Sequence, residues 1–222
     1  MDRFLTGWGG KARIMSFSSI LLVLVCLFSF PACSNVDLEI VDIQSTLILD
    51  YPTDTSLPMM RLSAFVQTSS DERKAERIRI LHEESGLEWV CNNPRRVGES
   101  DKSVWAGYTN FVPATGSVFP QGKYALYYTD MNGDEVSFKF TISYPESLSS
   151  TTADLLKSSV KNMEEVIALY DKDGDLIFFG PRAENWITDG DIKNSYGLAQ
   201  KIRLCYKLNG GAVVCMLPPK DF

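Results

Sequence analysis

A single histidine, His82, occurs in the 222 residues. One imidazole cannot supply the histidine pair of common zinc sites, and any Ser-His-Asp or Cys-His set would have to be built on it. His82 sits in an alternating stretch beside Glu83-Glu84, with no nucleophile motif nearby. A Gly-x-Ser-x-Gly elbow, a dinucleotide fingerprint and a Gly-rich phosphate loop are all missing. A dense basic block is missing too: past Arg13 the one basic knot is Asn93-Pro94-Arg95-Arg96, in a chain of net charge −6. Such a chain is a poor partner for nucleic acid. Asp171-Lys172-Asp173-Gly174-Asp175 offers hard oxygen ligands, but the EF-hand glycine place falls on Leu176 and its closing glutamate place on Arg182. The residues therefore name no catalytic set, no metal site and no cofactor.

What is present begins at the N-terminus. Arg3, Lys11 and Arg13 precede an apolar stretch, Ile14 to Phe30, broken by Ser16, Ser18, Ser19 and Ser29. The uninterrupted part is about 10 residues, the length of a secretory leader, whereas a spanning helix needs about 20. Phe30-Pro31-Ala32-Cys33 follows, then polar Ser34-Asn35. This order of charge, apolar run, small residue and cysteine resembles the signal peptide of a bacterial lipoprotein with a relaxed lipobox. The resemblance implies cleavage after Ala32 and a diacylglycerol, often with a further acyl chain such as palmitate, on Cys33. Two or three chains contribute about 0.8 kcal/mol per buried methylene, enough for a stable tether. Ordinary cleavage near Ala32 and an uncleaved signal anchor are the alternatives. All three export the chain.

The leader carries three basic residues against Asp2, so the remainder is two units more acidic than the whole. Cys91, Cys205 and Cys215 lie beyond the leader. Cys205 and Cys215 flank Asn209-Gly210-Gly211. A three-residue turn there sets them opposite each other as a candidate disulfide, and a two-residue turn sets Cys205 against Val214. Buried free thiols are the third option.

From Asp37 to Tyr144 the chain reads as successive short strands parted by turn residues, the pattern of an all-β sandwich. Leu38–Ile43 and Ser45–Leu49 read as two strands, then Met59–Thr68, then a hairpin of Arg77–His82 and Leu87–Cys91 with Trp89 facing a core. Asp71-Glu72-Arg73-Lys74 is a charged connection. Asn132-Gly133 between alternating runs is a strong hairpin signal. Pro120-Gln121-Gly122 ahead of Tyr124 resembles the penultimate-strand entry of immunoglobulin-like and fibronectin-like domains, which implies a phenol bonded to the preceding corner.

Residues 145–152 are rich in Pro, Ser and Thr and read as a linker. Apolar spacing predicts a helix from Ala153 to Glu165, followed by strands at Val166–Tyr170 and Asp175–Phe179. Trp186–Gly197 reads as irregular with one helical turn, and Gln200–Leu217 as a hairpin. The expected organisation is a leader over 1–32, a tether over 33–36, an immunoglobulin-like antiparallel β-sandwich over 37–144 and a smaller α+β part over 153–222. Asp130-Met131-Asn132-Gly133-Asp134 is echoed by Asp171-Lys172-Asp173-Gly174-Asp175, for which shared turn chemistry is a simpler account than duplication.

Loops carry function more often than cores. Trp105, Tyr108, Arg182 and Trp186 are therefore the candidate binding surface, with core packing as the competing role of each aromatic. The expected protein is a membrane-anchored, extracytoplasmic lipoprotein of the bacterial cell envelope, on the periplasmic face or cell surface. It would be a non-enzymatic binding or envelope-structure module with another envelope protein as partner. The alternatives are a small-ligand carrier with a cleft between the two parts, or a carboxylate hydrolase using Glu184, Asp189 or Asp191.

Overall fold

Strict alternation makes the second strand. In Met59–Thr68 (β2) Met60, Leu62, Ala64, Val66 and Thr68 are buried, and the side chains between them face outward. The computed structural model describes residues 38–69, 74–98, 105–114 and 117–222. The leader, Cys33 and the charged Asp71-Glu72-Arg73 lie outside the described residues. Ile40–Asp50 (β1) is one strand where the sequence suggests two. Its polar Gln44, Ser45 and Thr46 stay extended because they pair with Phe65, Ala64 and Ser63 of β2.

The sandwich continues with Ala75–His82 (β3), Glu88–Asn92 (β4), Arg95–Val97 (β5), Trp105–Phe111 (β6), Gly122–Asp130 (β7) and Glu135–Ile142 (β8). Among the described residues β1-β2-β6-β5 lie side by side in one sheet, and β4-β3-β7-β8 form the other. That is the A-B-E-D and C′-C-F-G order of an immunoglobulin-type sandwich. Leu47, Leu49, Leu62, Ile78, Ile80, Phe119, Tyr124, Leu126 and Tyr128 meet in its core. The Tyr124 hydroxyl donates to Pro120 O at 2.6 Å, the corner bond that the sequence resemblance implies. Opposite Phe65, Gly107 is required by contact: a Cβ there would sit 2.3 Å from the Phe65 ring.

The C-terminal residues complete the first sheet. Glu164–Tyr170 (β9), Leu176–Gly180 (β10), Lys201–Leu208 (β11) and Val213–Met216 (β12) extend it in the order β10-β9-β11-β12-β1, and Lys220–Asp221 (β13) pairs with β11. β12 runs parallel to β1, with Leu47 beside Val213 and Asp50 beside Met216. Residues Asp37–Phe222 thereby form one compact unit. The stretch read as a linker contains a 3-10 turn, Glu146–Ser150, whose Leu148 is fully buried and whose carbonyl accepts from the Tyr51 hydroxyl.

The helix predicted over 153–165 is shorter, Ala153–Ser159 (α1). Val160 is already extended, and Asn162 takes a left-handed backbone (φ 59°) that turns the chain into β9. A second helix, Asp189–Ser195 (α2), is held by a capping box in which Thr188 and Asp191 satisfy each other's backbone N–H. It covers Ile167 and Leu169 of β9 together with Trp186 and Ala199. No helix among the described residues is long and apolar enough to cross a membrane.

Candidate functional site

Every polar atom of His82 is occupied. The Ser85 backbone N–H can only donate, and it reaches Nδ1 at 3.2 Å beside the Ser85 hydroxyl at 2.7 Å. Nε2–H then donates to Gln121 O at 3.2 Å. The buried ring thus staples the β3–β4 turn to the start of β7 and packs 4.8 Å from the Tyr124 ring. The closely bonded serine is part of this local turn, whose Oγ also accepts from Leu87 N.

The turns at Asn132-Gly133 and Asp173-Gly174 repeat the same bonding. Asp130 accepts from the backbone N–H of Asn132 and Asp134 at 2.8 and 3.1 Å, and also from the Asn132 amide. Asp171 accepts from Asp173 N and Asp175 N, both at 2.9 Å. In each, a glycine takes the left-handed place (Gly133 φ 88°, Gly174 φ 85°). The carboxylates therefore serve their own turns. No cluster of three or more His, Cys, Asp or Glu side chains fit to hold a metal occurs among the described residues.

Two acids of the irregular stretch are likewise engaged. Asp191 caps α2, and the Thr188 backbone N–H, followed by its hydroxyl, holds the carboxyl below the ordinary carboxylate range. Asp189 lies 3.9 Å from the Arg182 guanidinium. Glu184 stands exposed.

The four residues read as a binding surface separate into different roles. Trp186 is a correction: it is buried, 8% exposed, with its indole N–H on Ser195 Oγ at 2.9 Å and edge-on to Phe178 and Tyr196. The continuous apolar run of β9 buries both faces, and Trp186 lies in the layer that covers Ile167 and Leu169. Arg182 grips that layer from outside, donating to Trp186 O at 2.6 Å and to Ile187 O at 3.4 Å. Tyr108 is exposed and edge-on to Phe111, while Trp105 is half-buried on the same strand. Trp89, expected in the core, packs against Phe119 and donates to Val112 O at 2.8 Å.

The candidate disulfide is also corrected. Leu208 pairs with Val213, so four residues, Asn209–Ala212, connect the strands. Cys205 then lies opposite Met216 and Cys215 opposite Tyr206, which sends the two thiols to opposite faces of the sheet. Both cysteines, like Cys91, are free and buried. Desolvation pushes the Cys205 and Cys215 thiols up to about 12. Sequence reasoning missed Arg203, whose fork clasps Asp50 at 2.6 and 3.3 Å and bonds Leu217 O and Met216 O at 2.6 and 3.0 Å.

Concave places also occur among the described residues. A cleft of about 550 Å³, open to solvent, lies between Phe119-Pro120-Gln121 and Tyr144, Glu146 and Ser147. A smaller one of about 220 Å³ lies over Leu47, Leu62 and Ile142 between the two sheets. The class defined by this geometry is an immunoglobulin-topology β-sandwich whose first sheet is widened by C-terminal strands. No family model, no curated protein and no solved structure matches the chain.

Proposed function

We propose that this chain is an exported lipoprotein, tethered through acylated Cys33, that acts as a non-enzymatic binding or structural module of a bacterial cell envelope. One observation carries the reading: the ordered series Arg3, Lys11, Arg13, the apolar Ile14–Phe30 and Ala32-Cys33 stands directly before the folded unit. Cys33 precedes the first residue of β1, Ile40, by seven positions. That spacing leaves a short tether and no room for another domain. A stable two-sheet core presenting strand edges suits attachment to a partner by backbone pairing. The bonding of His82, Asp130, Asp171 and Asp191 within their own turns and caps supports a structural use of these groups.

The test is metabolic labelling with radioactive palmitate in a bacterial host. The wild type should incorporate label and partition with membranes, and Cys33→Ser should lose both. A wild type that never labels ends the anchor reading.

A further inference from the structure

An asparagine that precedes glycine loses its side-chain amide more readily than any other, because glycine sets no side chain between its own backbone nitrogen and the amide carbon. Asn-Gly occurs twice in the sequence, at Asn132-Gly133 between β7 and β8 and at Asn209-Gly210 between β11 and β12. All four residues are exposed. Exposure therefore does not tell the two turns apart.

Hydrogen bonds do. The Gly133 N–H donates to Asp130 O at 3.0 Å, and the Asn132 amide donates to the Asp130 carboxylate at 3.2 Å. Asp130 is itself buried. Ring closure at Asn132 has to break the first bond and lift the amide off the second. It also develops an oxyanion beside a carboxylate, and like charges repel. The Gly210 N–H donates to no acceptor among the described residues. The Asn209 amide has one tie, to Ser143 O at 3.2 Å. A backbone nitrogen with no bond to give up reacts without prior local opening.

We infer that Asn209 is a site of spontaneous modification, and that its conversion to aspartate or isoaspartate loosens the join between β12 and β1. The deprotonated Gly210 nitrogen bonds to Cγ of Asn209, the Cγ–Nδ2 bond breaks, and ammonia leaves with the proton that Gly210 gave up. Water then opens the cyclic imide. Opening at Cγ gives aspartate, and opening at the backbone carbonyl gives isoaspartate. Neither product has an N–H to donate to Ser143 O, so the tie between this turn and the end of β8 is lost. Isoaspartate also adds a backbone carbon just ahead of Gly211 and Ala212. Their carbonyls accept from the Thr46 hydroxyl at 3.3 Å and the Leu47 N–H at 2.9 Å, where the parallel pairing of β1 with β12 begins. This inference stands apart from the anchor, because the turn is the same whether or not Cys33 is acylated.

The test is peptide mapping by mass spectrometry after long incubation of the full chain at mildly alkaline pH in a mild detergent. Asn209 should gain the mass shift of amide-to-acid conversion several-fold to about tenfold faster than Asn132, the range that one protecting hydrogen bond allows. In concentrated urea the two rates should converge, since both pairs are then unprotected. Hydrogen exchange of the incubated wild type should quicken in residues 213–216. Asn209→Ser, which cannot form the imide, should pass through the same incubation without that change. Conversion at Asn132 as fast as at Asn209 in the folded chain overturns the site. Converted protein whose exchange at 213–216 matches that of fresh protein overturns the loosened join.

Discussion

The sandwich half of the fold and its C-terminal half are held by different means. Around β7 the sandwich relies on interlocked aromatics: Tyr124 lies within 4.8 to 6.1 Å of His82, Trp89 and Phe140 and ties its hydroxyl to the Pro120 corner. The C-terminal strands instead reach β1 through four parallel residue pairs and one guanidinium, Arg203, which bonds β1 and β12 together. A packed core resists by volume, whereas a polar clasp resists by geometry and fails when one partner goes. The two acidic turns repeat the contrast. Asp130 is buried and makes three bonds, and Asp171 is half-buried and makes two.

Removing the aromatic anchor should have the largest effect. Tyr124→Ala should cost about 3–5 kcal/mol by urea denaturation, and Tyr124→Phe about 1–2, the share of the corner hydrogen bond. A near-neutral Tyr124→Ala would show that the ring is not a keystone. Arg203→Met should cost about 2–4 kcal/mol, because Asp50 loses its closer partner in a largely shielded place and keeps only Arg61 at 4.0 Å. Hydrogen exchange should then quicken in residues 201–216 while residues 124–128 stay protected. Uniform loosening would erase the distinction between the halves.

The buried thiols give a pH test of the clasped half. Cys205 and Cys215 ionise near 9.0 when unfolded and near 12 when folded. A raised folded value means that stability is full below pH 9 and falls as pH climbs towards 12. Between pH 9 and 10 the two thiols together should remove about 2 kcal/mol, measured by denaturant midpoint. Tyr124 and Tyr51, raised by burial, act in the same direction higher up. Cys205→Ala with Cys215→Ala should flatten the slope, and both thiols should resist alkylation until the chain unfolds. The turns come last: Asp130→Ala should cost about 1–2 kcal/mol and Asp171→Ala less than about 1. Equal losses would mean that burial does not separate them.

Local rules were legible where one period or one turn left no choice. Met59–Thr68 alternates without a break, and its bounds are those of β2. Tyr124 announces its corner through Pro120-Gln121-Gly122. The Cys205 hairpin was harder, since Asn209, Gly210 and Gly211 all take left-handed backbone (φ 49°, 67° and 99°) and consecutive permissive residues allow several loop lengths. One residue of loop length decides which face a thiol occupies. Asp50 and Arg203 meet across more than 150 positions of chain, and nothing in the alternation of β11 says which distant carboxylate its arginine will clasp. Core packing was one of the two roles open to Trp186, but the strand it covers becomes visible only after the sheet is assembled.

The parallel alignment of Leu47–Asp50 with Val213–Met216 joins the start of the folded unit to almost its last residues. A nascent chain can zip β1 to β2 early, yet the other flank of β1 stays bare until Val213–Met216 has emerged. Loss of Val213–Met216 would thus strip a neighbour from an interior strand and expose a fresh sticky border, making the arrival of β12 a checkpoint for solubility.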